Sequence, residues 1–161
     1  PDEQLDAGLK GLPNEDVLYH FVTPAAHLYV GSAGIWVLGV YHQRGRVAYQ
    51  KERWRLTGGG FLQSYMSVFG QEGLGRPEME NNREIQAVKK FLTKQMGAAD
   101  LPEIQGALVF TNDQMEIEGN DAPRPALPLK KLKDFRRQMA RERPIPPLKL
   151  SAIKAALPQE K

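Results

Sequence analysis

In AHLYVGSAGIWVLGVYHQRG, residues 26–45, two short apolar runs flank a Gly-Ser-Ala-Gly turn, and a second turn follows at HQRG. HLYV and GIWVLGVY are rich in β-branched and aromatic residues, which suit a pleated, half-buried surface, so the spacing predicts a hairpin. Gly34 supplies the positive φ that a tight turn needs. Upstream, DVLYHFV lies between PNE and TP and reads as another strand. Downstream of Gly45, RVAYQKERWRL reads as one longer or broken strand. The middle of the chain is therefore an antiparallel meander.

Helices and a returning strand surround it. Leu5, Leu9 and Leu12 fall at helical spacing in DEQLDAGLKGLP and Pro13 ends the pattern, with Asp2 and Glu3 favourable near the positive end. TGGG and GQEGLGRP bracket FLQSYMSVF, whose period does not choose between helix and strand. EMENNREIQAVKKFLTKQMG is the clearest helix: Ile85, Val88, Leu92 and Met96 form one stripe and Gly97 terminates it. IQGALVFT is continuously apolar and reads as a buried strand, QMEIE as a short partner, and NDAPRPALP as a loop. Leu129, Leu132, Phe135 and Met139 give a second helix an apolar face opposite most of its basic residues. PIPP stops that helix, and Ser151 is read as the N-cap of a last short one carrying Ile153 and Leu157.

This order implies an α/β fold: a central mixed sheet, an antiparallel meander plus a returning strand, flanked by helices. Residues 1–143 are expected to form the domain, with 144–161 a Pro-rich turn and short helix packed on or trailing it.

At 161 residues the chain suffices for one domain with a real core. It has no cysteine, which removes disulfides, thiolate zinc sites and thiol nucleophiles, and fits a reducing, cytoplasmic setting. No apolar run approaches the roughly 20 residues that span a bilayer. The first residue is Pro1 rather than Met, so an excised segment of a longer chain is expected, and other domains of that chain are candidate partners. The net charge of +3 is unevenly placed. LKKLKDFRRQMARER carries 7 of 22 basic residues and 2 of 19 acidic ones, leaving 15 basic and 17 acidic residues elsewhere.

Several patterns that tempt a chemical reading lack the residues for it. Neither glycine-rich loop ends in the Lys-Ser/Thr that reaches phosphate and magnesium. His20, His27 and His42 are read as two strand histidines and one turn histidine, since no pair shares metal-ligand spacing. Ser32, Ser64, Ser67 and Ser151 form no G-x-S-x-G elbow. Trp36 and Trp54 sit at strand positions, where core packing is the commoner use. Lys130, Lys131, Lys133, Arg136, Arg137 and Arg141 of the basic helix either contact nucleic-acid phosphates or form a solvated outer face.

The hairpin resembles the nuclease-related domain (NERD) family, a branch of the restriction-endonuclease-like, PD-(D/E)xK superfamily. That family reads roughly Asp-His-x-x-x-x-x-x-Gly-x-x-x-x-Glu-x-Lys across two adjacent strands. Set on this chain without a gap, the His falls on His27 and the Gly on Gly34, with apolar positions on Leu28, Val30, Ile35, Val37 and Leu38. Gly45, Trp54, RPEME with its Pro77, GALVFT and KLSAIKAAL match later family features, and Glu3 matches an opening glutamate more loosely.

The resemblance implies a metal-binding aspartate, a glutamate and a lysine at positions that hold Ala26, Gly39 and Tyr41, and a helix glutamine where Glu80 stands. In such nucleases two carboxylates hold a divalent cation that activates water, and the lysine orients or deprotonates that water. Ala26 and Gly39 offer no ligand, and a phenol of pKa about 10 is a poor replacement for an ammonium. No cofactor is therefore expected, and the implied role is that of a catalytically inactive nuclease-like domain, structural or binding, with nucleic acid engaged through the basic helix. Two alternatives stand beside it. One is a Mg2+-dependent nuclease with a relocated site, drawing on Glu15, Asp16, Glu52 and above all Glu80. The other is a protein-interaction module of a longer chain, marked by an apolar surface patch near Trp36 or Trp54.

Overall fold

The computed structural model describes residues 2–8, 16–43, 45–50, 53–57, 76–97, 101–113, 115–118, 122–142 and 144–157. The meander begins with β1 (Val17–His20), β2 (His27–Gly31) and β3 (Gly34–Tyr41), antiparallel in register Val17↔Val30 and Leu28↔Val37. Every residue of β2 is buried, so both faces of the sheet are covered. Helix α2 (Pro77–Met96) crosses over to β6 (Ile104–Phe110), which runs parallel to β3 from Ile35↔Ile104 to Tyr41↔Phe110. A short strand, β8 (Ala126–Pro128), adds to the far side of β6. The five-stranded order is β1-β2-β3-β6-β8.

Three expectations change here. RVAYQKERWRL is two strands, β4 (Gly45–Gln50) and β5 (Arg53–Thr57), paired as a hairpin. With β7 (Met115–Glu118) parallel to β4, they form a separate three-stranded sheet, whereas a single sheet was expected. The positive φ of 124° at Gly45 redirects the chain after β3, so β4 leaves the plane of the meander. The short β8 arises inside the expected NDAPRPALP loop. TGGG, FLQSYMSVF and GQEGLGRP lie outside the described residues, as do Leu9, Leu12 and Pro13.

One face of the central sheet packs Leu28, Val30, Ile35 and Val37 against Ile85, Val88 and Leu92 of α2 and Leu150, Ile153 and Leu157 near the C-terminus. The last helix, α4 (Pro147–Ala156), starts at its proline; Ser151 is mid-helix and exposed, not the N-cap. The start is explained by Pro147, whose fixed φ suits a first helical turn. The other face packs Tyr29, Trp36, Leu38, Ala107 and Val109 against Leu5 of α1 (Asp2–Gly8) and Leu132 and Phe135 of α3 (Leu132–Glu142). A 3-10 turn, Leu129–Lys131, leads into α3. The result is three layers, with helices on both sides of a mixed sheet. Among the described residues no helix is long and apolar enough to cross a membrane.

Asn81 fixes how closely α2 approaches the sheet. Its Nδ2 donates to the Val37 carbonyl at 3.1 Å, and its amide oxygen lies over Gly106, where an added Cβ would overlap it. Gly106→Ala is expected to destabilise the chain by about 1–3 kcal/mol through overpacking. The Asn81→Ala/Gly106→Ala pair should be less than additive in urea-unfolding midpoints, because the first change removes the clash.

Candidate functional site

Continuing the Leu28↔Val37 register by two residues sets Ala26 opposite Gly39. Strand alternation puts both, with Tyr41, on the face that α2 covers. The first turns of α2 bring Glu78, Glu80 and Glu84 to that end of the sheet. The Tyr41 hydroxyl donates to Glu80 Oε2 at 3.3 Å, and the Ala26 N–H donates to Glu84 Oε2 at 2.8 Å. Glu78 accepts the Trp54 indole N–H at 2.9 Å and forms an ion pair with Arg124. Burial first, then the negative charge of Glu80, pushes the Tyr41 phenol well above its usual range, so it stays a donor. At Gly39 an added Cβ would stand 3.2 Å from the Tyr41 ring, so this ring partly fills the space a longer side chain would need.

The positions that the family resemblance sets against the catalytic set therefore do come together, with Glu80 beside Tyr41. A divalent cation of the magnesium class does not fit them: they offer a methyl, a glycine hydrogen and a protonated phenol in place of anionic oxygens. Asp16 does not approach this end. Glu15 and Glu52 lie outside the described residues. Glu84, which the sequence reading did not single out, lies one helical turn beyond Glu80, a spacing that could have flagged it.

Asp16 instead anchors the opposite end, where β2 turns into β3. Its carboxylate is wholly buried and accepts from Tyr29 OH at 2.5 Å, Ser32 N–H at 3.0 Å and Arg136 Nε at 2.8 Å. Arg136 Nη2 also donates to Ser32 Oγ at 2.7 Å. Burial works against the Arg136 charge, but Tyr29 and Asp16 outweigh it and raise its pKa further. An added Cβ at Gly31 would overlap the Asp16 carboxylate, so the turn is built around this acid. Arg136 thus points inward, contrary to its expected place among the outward cations. An acid buried beyond water needs a charged partner, and Arg136 is on the helix face that reaches it.

The remaining basic residues divide by exposure. Lys130, Lys131, Arg137 and Arg141 are exposed and Lys133 is half-buried; Arg137 approaches Asp134 at 3.5 Å. Trp36 and Trp54 are core residues, 4% and 6% exposed, so neither centres a surface patch. Trp36 packs edge-on against Phe135 at 5.2 Å. Ser64 and Ser67 lie outside the described residues. His42 is exposed and apart, but His20 and His27 are cross-strand partners whose Nδ1 atoms stand 3.0 Å apart. Their symmetric placement about the 21–26 loop was the signal for this meeting. Among the described residues no group of three or more His, Asp or Glu side chains forms a ligand set.

No protein-family model, curated protein or solved structure matches this chain.

Two outcomes follow for the buried acid. Asp16→Ala leaves the Arg136 charge unpaired and is expected to cost about 3–5 kcal/mol in chemical unfolding, with Asp16→Ala/Arg136→Met recovering part of it. Burial first, then the bond to Asp16, pushes the Tyr29 phenol from 10.0 up to about 12. A raised phenol pKa gives stability that is full below pH 10 and is lost as pH rises through the folded value. The unfolding free energy from urea curves should therefore fall above pH 10, by roughly 2–3 kcal/mol for this group, and Tyr29→Phe should lessen that fall.

Proposed function

We propose that this chain is a nuclease-like domain of the NERD type that no longer cuts and now acts as a binding module for nucleic acid. One observation carries the loss of cutting. Among the described residues, each carboxylate at the sheet end is engaged by a donor of the fold: Glu80 by Tyr41, Glu84 by the Ala26 N–H, Glu78 by Trp54 and Arg124. These acids stabilise packing between helix and sheet rather than a cation and its water. Losing the ligands and the ammonium together removes several kcal/mol of transition-state stabilisation per group, which leaves no useful hydrolysis.

The binding half of the reading is supported by the outer face of α3. Lys130, Lys131, Arg137 and Arg141 are exposed there, while Arg136 locks the inner face to Asp16. Cations on a fixed helix neutralise backbone phosphates without reading bases, so the expected affinity is sequence-independent and salt-sensitive. Arg136 takes no part in that contact.

Plasmid incubated with the chain and Mg2+ or Mn2+ should stay uncut. Cleavage that disappears in Glu80→Gln would replace this reading with the relocated nuclease. Fluorescence anisotropy on a labelled duplex should show affinity falling steeply with salt. The Lys130→Ala/Lys131→Ala/Arg137→Ala/Arg141→Ala variant should lower the salt slope by about 3–4. Absence of binding at low salt, or a slope unchanged in that variant, removes nucleic acid from the account.

A further inference from the structure

Among the described residues, two of the four exposed large hydrophobic side chains are neighbours: Phe21, 67% exposed, and Val22, 47% exposed, in the turn from β1 to β2. That turn is firmly tied. The Phe21 N–H donates to the Ala26 carbonyl at 2.8 Å. Thr23 Oγ1 accepts the Ala25 N–H at 3.2 Å and donates to the Ala25 carbonyl at 3.0 Å. Phe21 has a φ of 58°, which is costly for a bulky residue, and its ring stands edge-on to His27 at 5.2 Å. A strained backbone therefore holds an aromatic ring out in water, an arrangement that points to a contact.

The ring is on the face of the sheet that carries α1 and α3. It lies against His27, which alternates with Leu28, whose face packs on α2. Glu78, Glu80 and Glu84 come from α2, on the other face. Asp6 of α1 is on the ring's own face, and its carboxylate meets His20 Nε2 at 3.0 Å.

Cations lie at the same end. β1 and β8 are the two edges of the five-stranded sheet, and β8 ends opposite Phe110, itself the partner of Tyr41. Lys130 and Lys131 follow β8 directly and are exposed. α1 spans the interval, since Asp6 meets His20 of β1 while Gly8 packs on Leu129. Four strand spacings set the lysines and Phe21 roughly 19 Å apart along one rim.

We propose, resting on the nucleic-acid reading above, that Phe21 is a base-stacking contact at the end of the α3 cation face. The preferred ligand is then a single strand, or another stretch of unpaired bases, rather than intact duplex. A ring stacks on a base only where that base has left its neighbour, and opening a duplex step opposes this. A single strand offers the π-face of every base, so one ring serves without reading sequence, while Lys130 and Lys131 complement the phosphates leading to it. An anionic membrane would also meet lysines and a phenyl ring. Interfacial anchoring scales with buried apolar area, however, and two side chains supply little of it.

The test compares a labelled single strand with the duplex of the same sequence by fluorescence anisotropy. The unaltered chain should bind the single strand more tightly, a result that needs no variant. Phe21→Asn, which tolerates the positive φ and removes the ring, should weaken single-strand binding by about 5–150-fold. It should leave the duplex nearly unchanged and the salt slope of both unaltered, because stacking releases no counterions. Phe21→Trp should keep the preference. Equal or weaker binding of the single strand, or full single-strand affinity in Phe21→Asn, overturns the contact while leaving the α3 reading in place. No binding of either form at low salt removes both. Vesicles of phosphatidylserine and phosphatidylcholine should not sediment the chain; sedimentation that is lost in Phe21→Asn would overturn the proposal and give the ring to a lipid surface.

Discussion

A carboxylate with no access to water has to be met by donors, and Asp16 is met from three parts of the chain at once. Tyr29 reaches it from β2, the Ser32 N–H from the following turn, and Arg136 from a helix more than a hundred residues later. A buried charge tolerates little displacement of its partners, because each lost bond leaves desolvation uncompensated. The rotation of α3 about its own axis is set by this requirement. With Arg136 turned in, Phe135 lies on Trp36 and the exposed cations of the helix are turned out. The connection that follows is tied to the same turn by the Ile145 N–H, which donates to the Ser32 carbonyl at 3.2 Å.

The two ends of the sheet use acids differently. At the Asp16 end one carboxylate gathers several donors and a full counter-charge. At the other end three glutamates each take separate donors, and two of them also lie in the first turn of α2, where the helix dipole favours negative charge. An acidic cluster beside a strand end is thus accounted for by helix electrostatics and packing. It needs no ligand to explain it.

The parts of the fold that the sequence announces are those set by local pattern. The apolar stripe of α2, the runs on either side of Gly-Ser-Ala-Gly, and the continuous apolar run of β6 all appear where periodicity places them. What stayed hidden depends on contacts between distant residues. Nothing in the spacing of Arg136 separates it from Arg137; only the depth of Asp16 does. β8 is three residues long and exists because β6 has a free edge beside it. Ser151 has the chemistry of a cap, but Pro147 begins the helix a turn earlier. The convergence of Ala26, Gly39 and Tyr41 follows from hairpin register, whereas the bonds that occupy Glu80 and Glu84 depend on how α2 docks.

The parallel pairing of β3 with β6 also bears on how the chain reaches this state. Ile35 and Ile104 are neighbours in the middle of the sheet yet lie about 70 residues apart along the chain. The β1-β2-β3 meander closes over short loops, so its nucleation is inexpensive in entropy. Inserting β6 beside it requires a large loop to close before any contact rewards the closure. On loop-closure entropy alone the meander is expected to form before α2 and β6 reach its edge, because its own contacts are the more local.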